Sequence, residues 1–140
     1  TCTAWIKTAT ANRLLFNWGN FDDGAKWIVR LNTNGTLRAE VQGGNIYGTT
    51  VLTDDQWHHI AVVLEDDGSP DISEALLYVD GNLETIGGAG AYPVNTAADL
   101  DVHIGVFPPT DLRYYQGLLD DVRVYDLPLN PAEILEIAGP

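Results

Sequence analysis

The 140-residue sequence predicts a single-domain all-β sandwich, and three observations carry that prediction. Apolar and polar residues alternate with period two along most of the chain, while helical spacing is confined to its last segment. Turn-forming pairs recur about every 8–12 residues and mark off about ten short strands, without the intervening helices of a parallel sheet. The length suits one hydrophobic core and is too small for two.

The elements follow in order. Residues 2–8 read as a strand with Cys2, Ala4 and Ile6 on one face. Trp27–Leu31 and Thr36–Val41 alternate in the same way, and Asn34-Gly35 between them tolerates the positive φ of a tight hairpin turn. Asn34-Gly35-Thr36 is also a glycosylation sequon, read first as turn chemistry. Residues 57–64 form a long strand that ends in the turn-rich Asp66-Asp67-Gly68-Ser69-Pro70-Asp71. A second hairpin runs from 75–79 through Asp80-Gly81 into 82–86, and residues 101–106 and 118–125 supply two more strands. One short helix closes the chain. Asn130 caps it, Pro131 takes the first helical position, Glu133 completes a capping box, and Gly139 stops it. Ile134, Leu135 and Ile137 are expected to press it onto the sandwich.

Composition narrows the function. A hydrophobic fraction of 45% and a charged fraction of 19% describe a globular chain. No apolar run approaches the roughly 18 residues of a membrane helix, and no charged-then-apolar leader opens the sequence. The net charge of −13 disfavours nucleic acid and anionic membrane surfaces as partners. The charge is uneven: Lys7, Arg13, Lys26, Arg30 and Arg38 face only Asp22 and Asp23 in the first 38 residues, and everything after carries 18 acids and two bases. A single cysteine, Cys2, excludes an internal disulfide and a cysteine zinc site.

Five ordered motifs carry a resemblance to a known family. Thr3-Ala4-Trp5-Ile6-Lys7, Gln56-Trp57-His58-His59-Ile60-Ala61-Val62, Leu77-Tyr78-Val79-Asp80-Gly81, Gly117-Leu118-Leu119-Asp120-Asp121-Val122-Arg123-Val124-Tyr125 and Leu127-Pro128-Leu129-Asn130-Pro131-Ala132-Glu133-Ile134 occur in that order. Together they resemble the laminin-G-like, concanavalin A-like jelly-roll domains of secreted and cell-surface proteins, over nearly all of residues 1–140. The resemblance implies a jelly-roll β-sandwich with one short C-terminal helix. Family members usually open with a further strand before the Ala-Trp strand. Here Thr1 stands almost at that strand, so the opening strand is expected to be absent or supplied by another chain.

Three groups of residues bear on metal binding and catalysis. His58 and His59 are adjacent on a strand and point to opposite faces, so packing is the reading rather than a shared metal ion. Period two places Asp120 with Val122 and Val124 on the apolar face, where a carboxylate needs a partner. In the resembling domains the corresponding aspartate often helps hold calcium, which makes Asp120 the candidate metal ligand and calcium the one cofactor implied; a hydrogen bond to backbone amides or an arginine is the alternative. For catalysis, no strand carries a Glu-x-Asp-x-x-Glu-like run. Asp120 and Asp121 fall on opposite faces, Asp99-x-Asp101 lacks a third acid, and Ser69 and Ser73 have no nearby histidine. The chain is expected not to be an enzyme.

Aromatic rings stack on the apolar face of a pyranose. Trp18, Tyr47 and Tyr92 stand in Gly/Asn-rich surroundings and are the loop-side candidates for ligand binding, against ordinary partial burial. The expected function is that of a non-catalytic, extracellular or cell-surface module that binds a glycan or an extracellular protein within a larger protein. The alternative is a structural assembly domain that works through protein–protein contacts, including self-assembly by a strand from a neighbouring chain.

Overall fold

A computed structural model of the chain describes residues 1–19, 25–96, 101–106 and 113–139. Asp22, Asp23 and Asp99, named above, lie outside the described residues. Among the described residues, eleven strands run in the order β1 (Cys2–Lys7), β2 (Leu14–Trp18), β3 (Trp27–Leu31), β4 (Thr36–Val41), β5 (Gly44–Val51), β6 (Trp57–Val63), β7 (Leu76–Val79), β8 (Asn82–Leu83), β9 (Ile86–Gly90), β10 (Val102–Ile104) and β11 (Leu118–Val124). A single 3₁₀ turn at Ile72–Glu74 precedes β7, and helix α1 spans Pro131–Ala138. Two antiparallel sheets result, of order β11-β1-β6-β7-β8 and β10-β2-β3-β4-β5-β9.

Alternation sets the core. Cys2, Ala4 and Ile6 of β1 meet Val29, Leu31, Leu37, Ala39 and Ile46 from the opposite sheet in one buried cluster. Side chains of the other parity leave the six-stranded sheet on its outer face. The second face of the five-stranded sheet is covered by α1, where Ile134 packs with Ala61, Val63, Tyr78 and Leu129. Asn130 accepts from Ala132 N and Glu133 N while Glu133 returns a bond to the Asn130 backbone, so the expected capping box is present. The helix turns differently from expectation at one residue: Leu135 is exposed, and Ala138 is buried in its place.

The hairpins show where turn chemistry was legible. Asp80 and Gly81 both take positive φ, as a two-residue type I′ turn requires. The Asn34-Gly35 hairpin is longer: Asn32 N donates to Thr36 O, only Gly35 takes positive φ, and Asn34 Oδ1 accepts from Thr36 N and Oγ1. The strand expected over 82–86 divides instead. β8 stays in the five-stranded sheet, and β9 pairs with β5 in the other. Glu84 holds the crossing by accepting from Thr49 N, Thr50 N and Thr50 Oγ1.

β1 lies between β11 and β6, so the strand that begins the chain is paired on both sides rather than at an edge. β11 is an edge of its sheet, and it is interrupted. Its register with β1 shifts between Thr3 and Trp5, and Asp121 takes a φ of 48°. A bulge at an edge discourages pairing with a further strand.

A basic outer face on the six-stranded sheet

Registered residues of β2 to β5 build the outer face of the six-stranded sheet. Arg30 stands opposite Arg38, and Arg38 opposite Tyr47. In the neighbouring row Asn17, Ile28, Glu40 and Asn45 follow one another across the same strands. Lys26 immediately precedes β3. Glu40 gathers the cations: its Oε1 accepts from Lys26 Nζ at 3.1 Å, and its Oε2 from Arg30 Nε at 3.1 Å and Arg38 Nε at 2.6 Å. Arg30 also donates through Nη1 to Asn12 Oδ1 at 3.0 Å.

This cluster sits low in the surface. Lys26, Arg30 and Glu40 are 8%, 7% and 5% exposed. Arg38 is the most open of the cations, with 22% of its side chain accessible. Two arginines directly opposite each other across a ladder repel, and burial adds a desolvation cost. Among the described residues, one carboxylate shared by three cations offsets that only in part and leaves positive charge in surplus, on a strongly acidic chain. Burial works against the ionisation of Glu40, but Arg30, Lys26 and Arg38 outweigh it and hold its carboxyl below the usual range. Burial lowers the Arg30 guanidinium from its ordinary value against the pull of Glu40, yet arginine stays protonated. Asn17 Oδ1 and His103 Nδ1, whose residues pair in register on β2 and β10, are buried without a hydrogen-bond partner among the described residues.

Tyr47 borders this cluster. Its ring lies across Gly87 and Gly88 of β9, where a Cβ on Gly88 would stand 2.5 Å from the phenolic oxygen. The ring is half-buried on the outer face, beside Arg38. Tyr47 is therefore a mid-strand residue of β5, not the loop residue expected from its glycine neighbours.

The other expected ligand-binding residues lie elsewhere. Trp18 ends β2 and faces inward, stacked on Trp27 with ring centroids 5.6 Å apart. Tyr92 follows β9 as a loop residue, but it packs against the inner core and covers Gly43 and Gly44. The three aromatics thus do not share one platform. Asp120 is exposed rather than buried, because the bulge at Asp121 breaks the period-two count and turns Leu119 and Val122 inward instead. Its Oδ1 accepts from Asp121 N at 2.8 Å. No group of three or more His, Cys, Asp or Glu among the described residues is arranged to hold a metal. An exposed aspartate that accepts from the backbone N–H of the next residue, with no such group around it among the described residues, does not fit a calcium cage of six to eight oxygens. The two adjacent histidines diverge. His58 bridges Asp80 at 2.8 Å and Asp54 at 3.1 Å, whereas His59 is buried edge-on against Trp5.

Sequence reasoning missed Lys26, Arg30, Arg38 and Glu40 as a group. Two signals pointed to them: the basic residues concentrate before position 39, and Arg30 and Arg38 hold the parity opposite to Val29 and Ala39 on their strands.

The sequence profile of the Concanavalin A-like lectin/glucanases superfamily matches residues 1–135. No curated protein matches the chain. Among solved structures, the Ruminococcus gnavus IT-sialidase CBM40 bound to alpha2,3 sialyllactose superposes with a TM-score of 0.76 at 15% identity, covering 99% of this chain and 81% of that one. Domain 4 of an extracellular GH43 arabinanase from Geobacillus stearothermophilus, in complex with arabinotriose, gives 0.67 at 22% identity, with 98% and 65% coverage. Domains LG4-5 of the mouse laminin alpha1 chain give 0.56 at 16% identity, with 94% and 36% coverage. At these identities the likeness is one of fold.

Proposed function

This chain belongs to the concanavalin A-like lectin/glucanases superfamily, and from that premise we propose that it is a non-catalytic module that binds an anionic glycan on the outer face of its six-stranded sheet. The observation that carries the reading is the Arg30–Arg38 pair with Lys26, gathered on a single carboxylate beside the Tyr47 ring. A sugar carboxylate or sulfate offers the charge-assisted hydrogen bonds that such a surplus of cations favours, and a flat ring beside it suits the apolar face of a pyranose. Two of the structural neighbours were solved with glycans, one of them sialylated.

Among the described residues, the face lacks the parts of a glycosidase. Glu40 is its acid among the described residues of β2 to β5, and a general acid needs a raised pKa, whereas Glu40 is held low. The acidic remainder of the chain suits a soluble module of a larger protein at or outside the cell surface. No helix among the described residues is long and apolar enough to cross a membrane.

Calorimetric titration with α2,3-sialyllactose, lactose and arabinotriose tests the proposal. Saturable binding of sialyllactose, weakened by added salt and absent with the two neutral sugars, is the expected result, with the sialyllactose recovered intact. Equal binding of lactose and sialyllactose would remove the anion from the account, and release of sialic acid would remove its non-catalytic part.

A further inference from the structure

The inner side of the same sheet ends in a cleft of about 200 Å³ between the two sheets. Cys2 of β1, Trp18 of β2 and Trp27 of β3 line it, together with Leu64, Val94 and Thr96. The stacked Trp18–Trp27 pair gives it one flat aromatic wall. A cavity of roughly 150 Å³ with apolar walls already accepts a benzene-sized molecule, so this one has room for a ring bearing a substituent.

Its lining is not wholly apolar. Among the described residues, the buried indole Nε1 of Trp27, itself only 5% exposed, has no hydrogen-bond partner, and neither has the buried Thr96 Oγ1. Buried polar atoms in native proteins are nearly always paired, and these two belong to residues that line the same cleft. An indole N–H only donates, so what completes it must carry an acceptor; a threonine hydroxyl can add a second donor.

We propose that this cleft is a second binding site, separate from the basic face, for a small molecule with an apolar body and a hydrogen-bond-accepting oxygen, of the class of aryl or short alkyl ketones and esters. The apolar part lies along Trp18, Leu64 and Val94, and the oxygen accepts from Trp27 Nε1–H.

Acetophenone and ethylbenzene serve as a probe pair, alike in shape and differing in the carbonyl oxygen. The four tryptophans each contribute one indole N–H resonance in the ¹⁵N-labelled protein, and Trp27→Phe identifies its own by loss. Titration with acetophenone is expected to move the Trp27 resonance in a saturable manner and leave that of Trp57, which is exposed, in place. Ethylbenzene is expected to bind about fivefold more weakly, the worth of one neutral hydrogen bond, and that difference should vanish in Trp27→Phe. Val94→Phe, which fills the cleft, should abolish both titrations while binding of sialyllactose is unaltered. A Trp27 resonance that stays in place up to the solubility limit of acetophenone would overturn the proposal and leave the two polar atoms to water. So would a ketone and a hydrocarbon that bind the wild-type protein equally.

Discussion

Glu40→Gln is expected to destabilise the chain by about 3–5 kcal/mol, the usual consequence of removing one partner from a buried ionic group. Lys26, Arg30 and Arg38 would remain where the sheet puts them, with their common carboxylate replaced by a neutral amide. Against a total stability of about 5–15 kcal/mol for a domain of this kind, the loss is large enough to lower the denaturation midpoint visibly or to prevent folding. A quadruple variant separates charge from packing. With Glu40→Leu, Lys26→Met, Arg30→Met and Arg38→Met together, no charge is left unpaired, and most of the lost stability should return. A single variant as stable as wild type would show that the cluster is hydrated and contributes nothing.

The same residue sets an acid limit. The folded-state pKa of Glu40 lies below its ordinary value of 4.5. Its stabilising contribution is therefore whole above that pH and is lost as pH falls through the lowered folded-state value. Denaturant midpoints measured between pH 7 and pH 3 should fall at the acid end in wild type, and should fall less in the quadruple variant.

Arg38→Ala is expected to weaken binding of sialyllactose by about 10- to 100-fold, since a hydrogen bond to a charged group is worth about 1.5–3 kcal/mol. Arg38 is the most open of the three cations, so the loss should appear mainly in binding, while Lys26 and Arg30 still hold Glu40. Arg38→Lys keeps the charge but loses the planar fork, and should fall between the two. Affinity within twofold of wild type in Arg38→Ala would place the ligand elsewhere.

Much of the fold was legible because local signals and global pairing agree. Asp80-Gly81 could hardly be anything but a tight turn, and Asn130-Pro131 with Glu133 writes a helix start in four residues. Glycine misled where its role depends on a distant side chain. Gly44 and Gly48 lie inside β5 because Tyr92 and Glu84 occupy the space their side chains would need, and neither neighbour is visible from the local sequence. The same blindness turned Tyr47 into a loop residue. Asp120 failed for another reason: one bulged residue, Asp121, shifts the parity of everything beyond it, and a period-two count has no means of detecting it. The basic cluster lay in between. Parity already placed Arg30 and Arg38 on one face, but their convergence on Glu40 required the register of β3 with β4.

The central claim is that the glycan seats on the outer face of the six-stranded sheet, and mapping the amide and side-chain resonances of the ¹⁵N-labelled protein during titration with α2,3-sialyllactose tests it most directly. The account predicts saturable shifts centred on Arg30, Arg38, Glu40 and Tyr47, with the helix α1 and the exposed Asp120 unaffected. Saturable shifts clustered on the five-stranded sheet or on α1, with those four residues unmoved, would contradict it.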